Sequence, residues 1–256
     1  MVINVCFSQK RQTMEYFNID KYKDWETNND YSSAEESKFL KKENKKVEIT
    51  IDKDKTYVTQ SENQNPYENI FVYSNKTKMC IAFYREFYGI NIGKMMQYDE
   101  NGKLIKEKDY DKPYKFSLKE VIEKIKKEYE IDLEDLTQRC VLERFESVEL
   151  NKKPLYTAYL RNNDTPGIMD YIVIDGTTGE TLFKTDMELN GEGEKTPYYK
   201  YIESLKKAEQ ENNAYYKTYK GKDYTKKEWE VFEEKWYEDY KKNKDRSFWD
   251  DIFKRP

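Results

Sequence analysis

Histidine is absent from the 256 residues of this chain. Ser-His-Asp and Cys-His nucleophilic catalysis both need an imidazole to take the nucleophile's proton, so both are excluded. Histidine-ligated zinc is excluded with them, and the three cysteines, Cys6, Cys80 and Cys140, are too few and too dispersed for a four-thiolate site. Long runs of one charge are also missing: 46 basic and 50 acidic residues are mixed along the chain, for a net charge of −4. Phosphate backbones are held by a concentrated basic face, so nucleic acid is not an expected partner. No segment approaches the roughly 20 apolar residues of a membrane span, so no transmembrane segment is expected.

Phosphate- and calcium-binding loops are approached but not reached. "GINIGKMM" at 89–96 has three residues between its glycines instead of four, and Met95 stands where Ser or Thr would hold magnesium. "GEGEKT" at 191–196 has two glycines and no preceding strand, which makes it a linker. Asp52-Lys53-Asp54 begins like a calcium loop, but Tyr57 and Asn63 occupy the positions that need Gly and Glu. No cofactor, metal or catalytic residue is therefore expected, and among 50 acidic residues no pair stands out for acid–base work.

What the chain has in quantity is aromatic side chains: 24 Tyr, 12 Phe and 4 Trp, against 38% charged residues. Large rings with polar tips build a core where aliphatic residues are few, so the chain reads as folded, with a charged surface. Residues 10–45 are polar with scattered aromatics, and Ser32 with Glu35 is spaced to cap a short helix running toward Leu40. From 45 to 110 the pattern alternates. Val47, Ile49 and Ile51 lead through Asp52–Lys55 to Tyr57 and Thr59, two apolar runs flank Ser74–Thr77, and Asn101-Gly102 suits a hairpin turn. This stretch predicts an antiparallel meander.

Ser117 and Glu120 have capping-box spacing, and Leu118, Val121, Ile122, Ile125 and Tyr129 share one helical face over 117–130. Strand-like runs follow at 140–150, 155–161, 170–175 and 180–184. The last pair flanks Asp175-Gly176-Thr177-Thr178-Gly179, read as a turn in which Asp accepts backbone amides and the glycines take positive φ. The amphipathic helix, the strand "LYTAYLR" and the closing "YIVIDGTTGETL" resemble a PepSY-type domain over 117–186. The resemblance implies a non-catalytic, exported module with a binding or inhibitory role. The whole chain also resembles small exported proteins of Bacteroidetes-type bacteria encoded near polymorphic toxins.

Past the linker at 187–195, Thr196 and Pro197 start a helix, and Tyr198, Tyr201, Ile202, Leu205 and Ala208 line one face of it. A loop at Lys220-Gly221-Lys222 leads to a second helix capped by Thr225 and Glu228. That helix carries Trp229, Phe232, Trp236 and Tyr240 on one face, and Phe248, Trp249 and Phe253 follow it. Helical aromatic stripes are usually core, which suits Trp229 and Phe232. Trp236, Tyr240, Phe248, Trp249 and Phe253 are the candidate partner-binding residues.

At the start, "MVINVCFSQKRQ" turns polar abruptly at Gln9, and Cys6-Phe7-Ser8 fits the small-x-small pattern before a signal-peptidase cut. The apolar piece is short and lacks a basic leader, so it reads as the last part of a signal; an N-terminal strand of a cytoplasmic protein is the alternative. In an oxidising compartment Cys80 and Cys140 can pair, but nothing local brings them together, and two lone buried thiols are the favoured reading.

The expected fold is α+β: a possible signal remnant at 1–8, an antiparallel β-rich region at 9–112, a PepSY-like helix-and-sheet unit at 113–190, and a helical extension at 191–256. The expected function is a non-enzymatic, exported, periplasmic binder of a protein, an immunity protein that neutralises a toxin. A carbohydrate-active enzyme working with carboxylates alone and a surface-anchored structural module are the alternatives.

Overall fold

The computed structural model describes residues 15–31, 36–162, 165–188 and 195–244. The chain falls into two compact units, one ending at Glu192 and the other starting at Gly193. The first unit opens with strands β1 (Glu26–Thr27), β2 (Ser37–Lys42), β3 (Lys45–Ile51), β4 (Lys55–Glu62), β5 (Tyr67–Ser74), β6 (Cys80–Phe87), β7 (Ile90–Tyr98) and β8 (Leu104–Asp109). They form one antiparallel sheet in strict chain order. After helix α1 (Leu118–Tyr129), strands β9 (Val141–Ser147), β10 (Lys153–Arg161), β11 (Ile168–Asp175) and β12 (Thr181–Glu188) form a second antiparallel sheet, ordered β12-β11-β10-β9. The chain is thus α+β.

Tight turns set the meander's register. Tyr88 and Gly89 both have positive φ, 52° and 74°, and join Phe87 to its partner Ile90. Two successive left-handed residues match the right-handed twist of a hairpin. Gly102 (φ 80°) serves the β7–β8 turn at the expected Asn101-Gly102. One expectation fails. The residues leading to Leu40 form strand β2, not a helix, because Phe39 pairs with Glu48 and Leu40 with Val47, and Leu40 packs into the meander's core. A long-range ladder and a half-buried Leu40 outweigh a local cap signal. Ser32 and Glu35 themselves lie outside the described residues, as does the possible signal remnant at 1–8.

Among the described residues, two hydrophobic clusters lie against the meander. Val47, Ile49, Val58 and Tyr73 form one, closed by Phe17, Tyr22 and Trp25 from the segment before β1. The other takes Phe87 and Ile92 from the meander, Val121, Ile122 and Ile125 from α1, and Leu142, Tyr156, Ala158, Leu160, Ile172 and Ile174 from the second sheet. The β-rich region and the helix-and-sheet part therefore share a core while keeping separate sheets. Helix α1 begins as its sequence dictates: the Ser117 hydroxyl accepts from the Glu120 amide, and the Glu120 carboxylate accepts from the Ser117 amide at 2.7 Å.

Arg144 of β9 clasps the two sheets. Its side chain is 4% exposed, ion-pairs with Asp111 at 2.7 Å, donates to the Asn91 carbonyl, and lies 4.8 Å from the centre of the Tyr114 ring. Its Nη1 is buried and makes no hydrogen bond. The charge is compensated by Asp111, the Asn91 carbonyl and the face of the Tyr114 ring.

In the second unit, α2 (Pro197–Asn213) starts at an N-cap Thr196 whose hydroxyl accepts from the Tyr199 amide at 3.3 Å. Of its predicted apolar face, Tyr201 and Ile202 are buried while Leu205 is exposed. The expected loop at Lys220-Gly221 is the turn of a hairpin, β13 (Tyr215–Tyr219) with β14 (Lys222–Thr225), so the extension is not purely helical. Lys220 (φ 50°) and Gly221 (φ 78°) supply the same paired left-handed turn seen at 88–89. Helix α3 (Lys226–Lys244) follows.

The Asp175–Gly179 turn gives a direct test of the fold. Gly179 has φ +75°, and a Cβ there would sit 2.5 Å from the Phe116 ring. Gly179→Ala is expected to cost about 2–4 kcal/mol, the sum of left-handed backbone strain and overpacking against an aromatic. Urea denaturation measures it; a loss below ~1 kcal/mol would contradict this packing.

Candidate functional site

The aromatic stripe of α3 divides along its length. Thr225 and Glu228 cap the helix reciprocally, the Thr225 amide donating to the Glu228 carboxylate at 3.0 Å and the Glu228 amide to the Thr225 hydroxyl at 3.3 Å. That fixes the first turn beside the hairpin. Trp229 is buried there: its ring meets Tyr219, Tyr224 and Phe232 at centroid distances of 5.8, 5.4 and 4.9 Å. Its indole N–H donates to Glu233, and the Lys217 ammonium sits over its face. Trp229 and Phe232 thus form the small core of this unit, as their spacing suggested.

The stripe then outruns its cover. A 19-residue helix is about 28 Å long, whereas β14 holds four residues. Trp236 is 59% exposed, Tyr237 53% and Tyr240 52%. Trp236 and Tyr240 stack on each other, 5.9 Å between centroids and 13° between planes. A groove of about 410 Å³ runs between Trp236 and the core, lined by Tyr219, Trp229, Phe232, Glu233, Trp236 and Tyr237. Lysines edge this region: Lys220 over Tyr219, Lys222 over Tyr224 and Lys241 over Tyr237. Of the five predicted partner-binding residues, Trp236 and Tyr240 stand together on this face; Phe248, Trp249 and Phe253 lie outside the described residues. Sequence reading did not mark Tyr237 or Tyr219, since Tyr237 is off the stripe and the hairpin that brings Tyr219 to it was read as a loop.

The Asp175 turn is occupied by the chain's own groups. Asp175 Oδ1 accepts from the amides of Thr177 at 2.7 Å and Thr178 at 3.2 Å, and Oδ2 pairs with Lys153 at 2.7 Å. Gly176, contrary to expectation, does not need a positive φ. It is glycine because a Cβ would sit 2.8 Å from both the Pro154 carbonyl oxygen and the Tyr114 ring.

The two described thiols are free. Cys80 packs against the Val47–Tyr73 core and Cys140 belongs to the α1 core, where it lies 3.2 Å from the Tyr88 hydroxyl. Burial pushes the Cys80 thiol up to about 11 and raises Cys140 as well, so both are poor nucleophiles near neutrality. Two carboxyls do have raised pKa values. Glu68 and Glu86 are direct cross-strand partners, each raised first by burial and then by a neighbouring glutamate. Neither lines any of the three clefts described in this protein.

No helix among the described residues is long and apolar enough to cross a membrane. Comparison of the chain with family models, with characterised proteins and with solved structures returned no match.

Burial alone would raise the Asp175 pKa, but Lys153 and the two Thr amides outweigh it and hold the carboxyl below the ordinary aspartate value. A carboxyl with a depressed folded pKa stabilises above its unfolded pKa and loses that contribution as pH falls through the folded value. Stability should therefore drop below about pH 4 partly through this residue. Asp175→Asn is expected to lower stability near neutrality and flatten that acid limb, with no response of either protein to calcium. A calcium-dependent rise in melting temperature that the substitution abolishes would overturn the reading of this turn as structural.

Proposed function

We propose that this protein is a non-enzymatic binder of another protein, exported to the periplasm, where it neutralises a toxin. The observation that carries the reading is the stacked, exposed Trp236–Tyr240 pair on α3. Rigid aromatic side chains give large contact area at low entropic cost, and Trp and Tyr dominate interface energies. Their exposure side by side is costly in water unless something covers them. Lysines around the groove suit an acidic rim on the partner. The PepSY-like pattern of 117–186 supports a binding or inhibitory role, and the run ending at Cys6-Phe7-Ser8 supports export.

Trp236→Ala separates this role from a structural one. It should leave the melting temperature within about 2 °C and weaken binding to the proposed toxin partner by roughly 30-fold or more. Trp229→Ala should instead cost about 3–5 kcal/mol and disrupt the second unit. Isothermal titration calorimetry and thermal melts read both; unchanged affinity in a folded Trp236→Ala protein would refute the assignment. For export, the mature protein from the native host, expressed from its full reading frame, is expected to begin at Gln9 by mass spectrometry. Intact Met1–Ser8 in a cytosolic fraction would contradict it.

A further inference from the structure

On the core-bearing face of the eight-stranded sheet, cross-strand partners line up in rows. Ile49, Val58, Phe71 and Phe83 make one apolar row, and Tyr67, Phe87 and Ile90 belong to another. Between them runs Val47–Gln60–Asn69–Arg85–Ile92, each residue directly opposite the next. Its ends, Val47 and Ile92, are buried in the two separate cores, but its three middle positions are an amide, an amide and a guanidinium. The cores part above these three residues and leave a cleft of about 490 Å³, well within the size range of small-ligand sites.

The walls and floor are chemically distinct. Tyr22 and Trp25 meet edge to face at 5.5 Å on one side, and Tyr67 stands on the other, 5.7 Å from the Arg85 guanidinium. Gln60 donates to the Tyr22 hydroxyl at 3.3 Å. Among the described residues, the Asn69 side-chain amide makes no hydrogen bond and Arg85 makes no ion pair. Gln60 and Asn69 are half-buried and Arg85 is exposed, so three polar planar groups, spaced by strand separations of about 4.8 Å, are open to a ligand entering from solvent.

We propose that this cleft binds a carboxylated sugar, one or two rings of an acidic saccharide. The guanidinium presents a fork for a carboxylate. Each amide offers both donor and acceptor, the combination that hydroxyls require. The aromatic walls cover the apolar faces of a ring. An acidic peptide fits less well, because the cleft lies over central strands whose backbone groups are already paired, so a peptide cannot add a strand there. The site lies in the first unit and stands independently of the aromatic face on α3.

The test titrates the full chain with digalacturonate by calorimetry, with cellobiose and a hexaglutamate peptide as comparators. Saturable digalacturonate binding is expected, weakened at least about tenfold by Arg85→Gln and by Asn69→Ala, with melting temperatures unchanged. Arg85→Lys, which keeps the charge but loses the fork, should also bind less well. Cellobiose should bind about tenfold more weakly or not at all. Absence of saturable digalacturonate binding overturns the proposal, and so do equal affinities in the variants, equal binding of cellobiose, or tighter binding of hexaglutamate.

Discussion

Phe87 and Ile92 are where the first unit is held together. Both belong to the meander, yet both are buried among residues of α1 and the second sheet. If those two side chains were lost, the meander would give up its two fully committed contributions to the shared core, and α1 and the second sheet would lose most of their far wall. Arg144 works at the edge of the same contact, reaching from β9 to Asp111 and the Asn91 carbonyl. A guanidinium with one uncompensated nitrogen is a poor source of stability, since burying the charge costs much of what its pairing returns. What it contributes is orientation: only one placement of the two sheets satisfies Asp111, Asn91 and Tyr114 together.

Functional potential lies where this packing stops. On the meander, the two cores part over Gln60, Asn69 and Arg85, and polar side chains face a cleft on the core-bearing face. On α3, hydrophobic cover ends after Phe232, and the aromatic stripe continues into solvent as Trp236 and Tyr240. In both places side chains remain open to solvent and to a partner. Elsewhere the suggestive groups are consumed by structure: Asp175 by its own turn and Lys153, the thiols by burial.

Features carried by local chemistry were legible in the sequence. The capping boxes at Ser117 and Thr225, the buried face of α1, the Asn101-Gly102 turn and the Asp175 hairpin each follow from a few adjacent residues. Features set by distant pairing were not. Strand β2 looks helical until Leu40 finds Val47. Lys220-Gly221 lacks the Asn or Asp that advertises a hairpin, although its backbone makes the same turn. The Gln60–Asn69–Arg85 row was invisible because its members sit in three strands and become neighbours only through register. At the candidate interface, spacing marked the stripe, but only the length of α3 beyond its hairpin separates core Trp229 from exposed Trp236.

The most direct measurement is hydrogen–deuterium exchange of the whole chain, alone and saturated with the protein partner proposed for it. Protection on binding concentrated in residues 231–242, with exchange at 171–184 unchanged, is the predicted result. Protection confined to the first unit, with α3 exchanging as in the free protein, would contradict recognition through the Trp236–Tyr240 face.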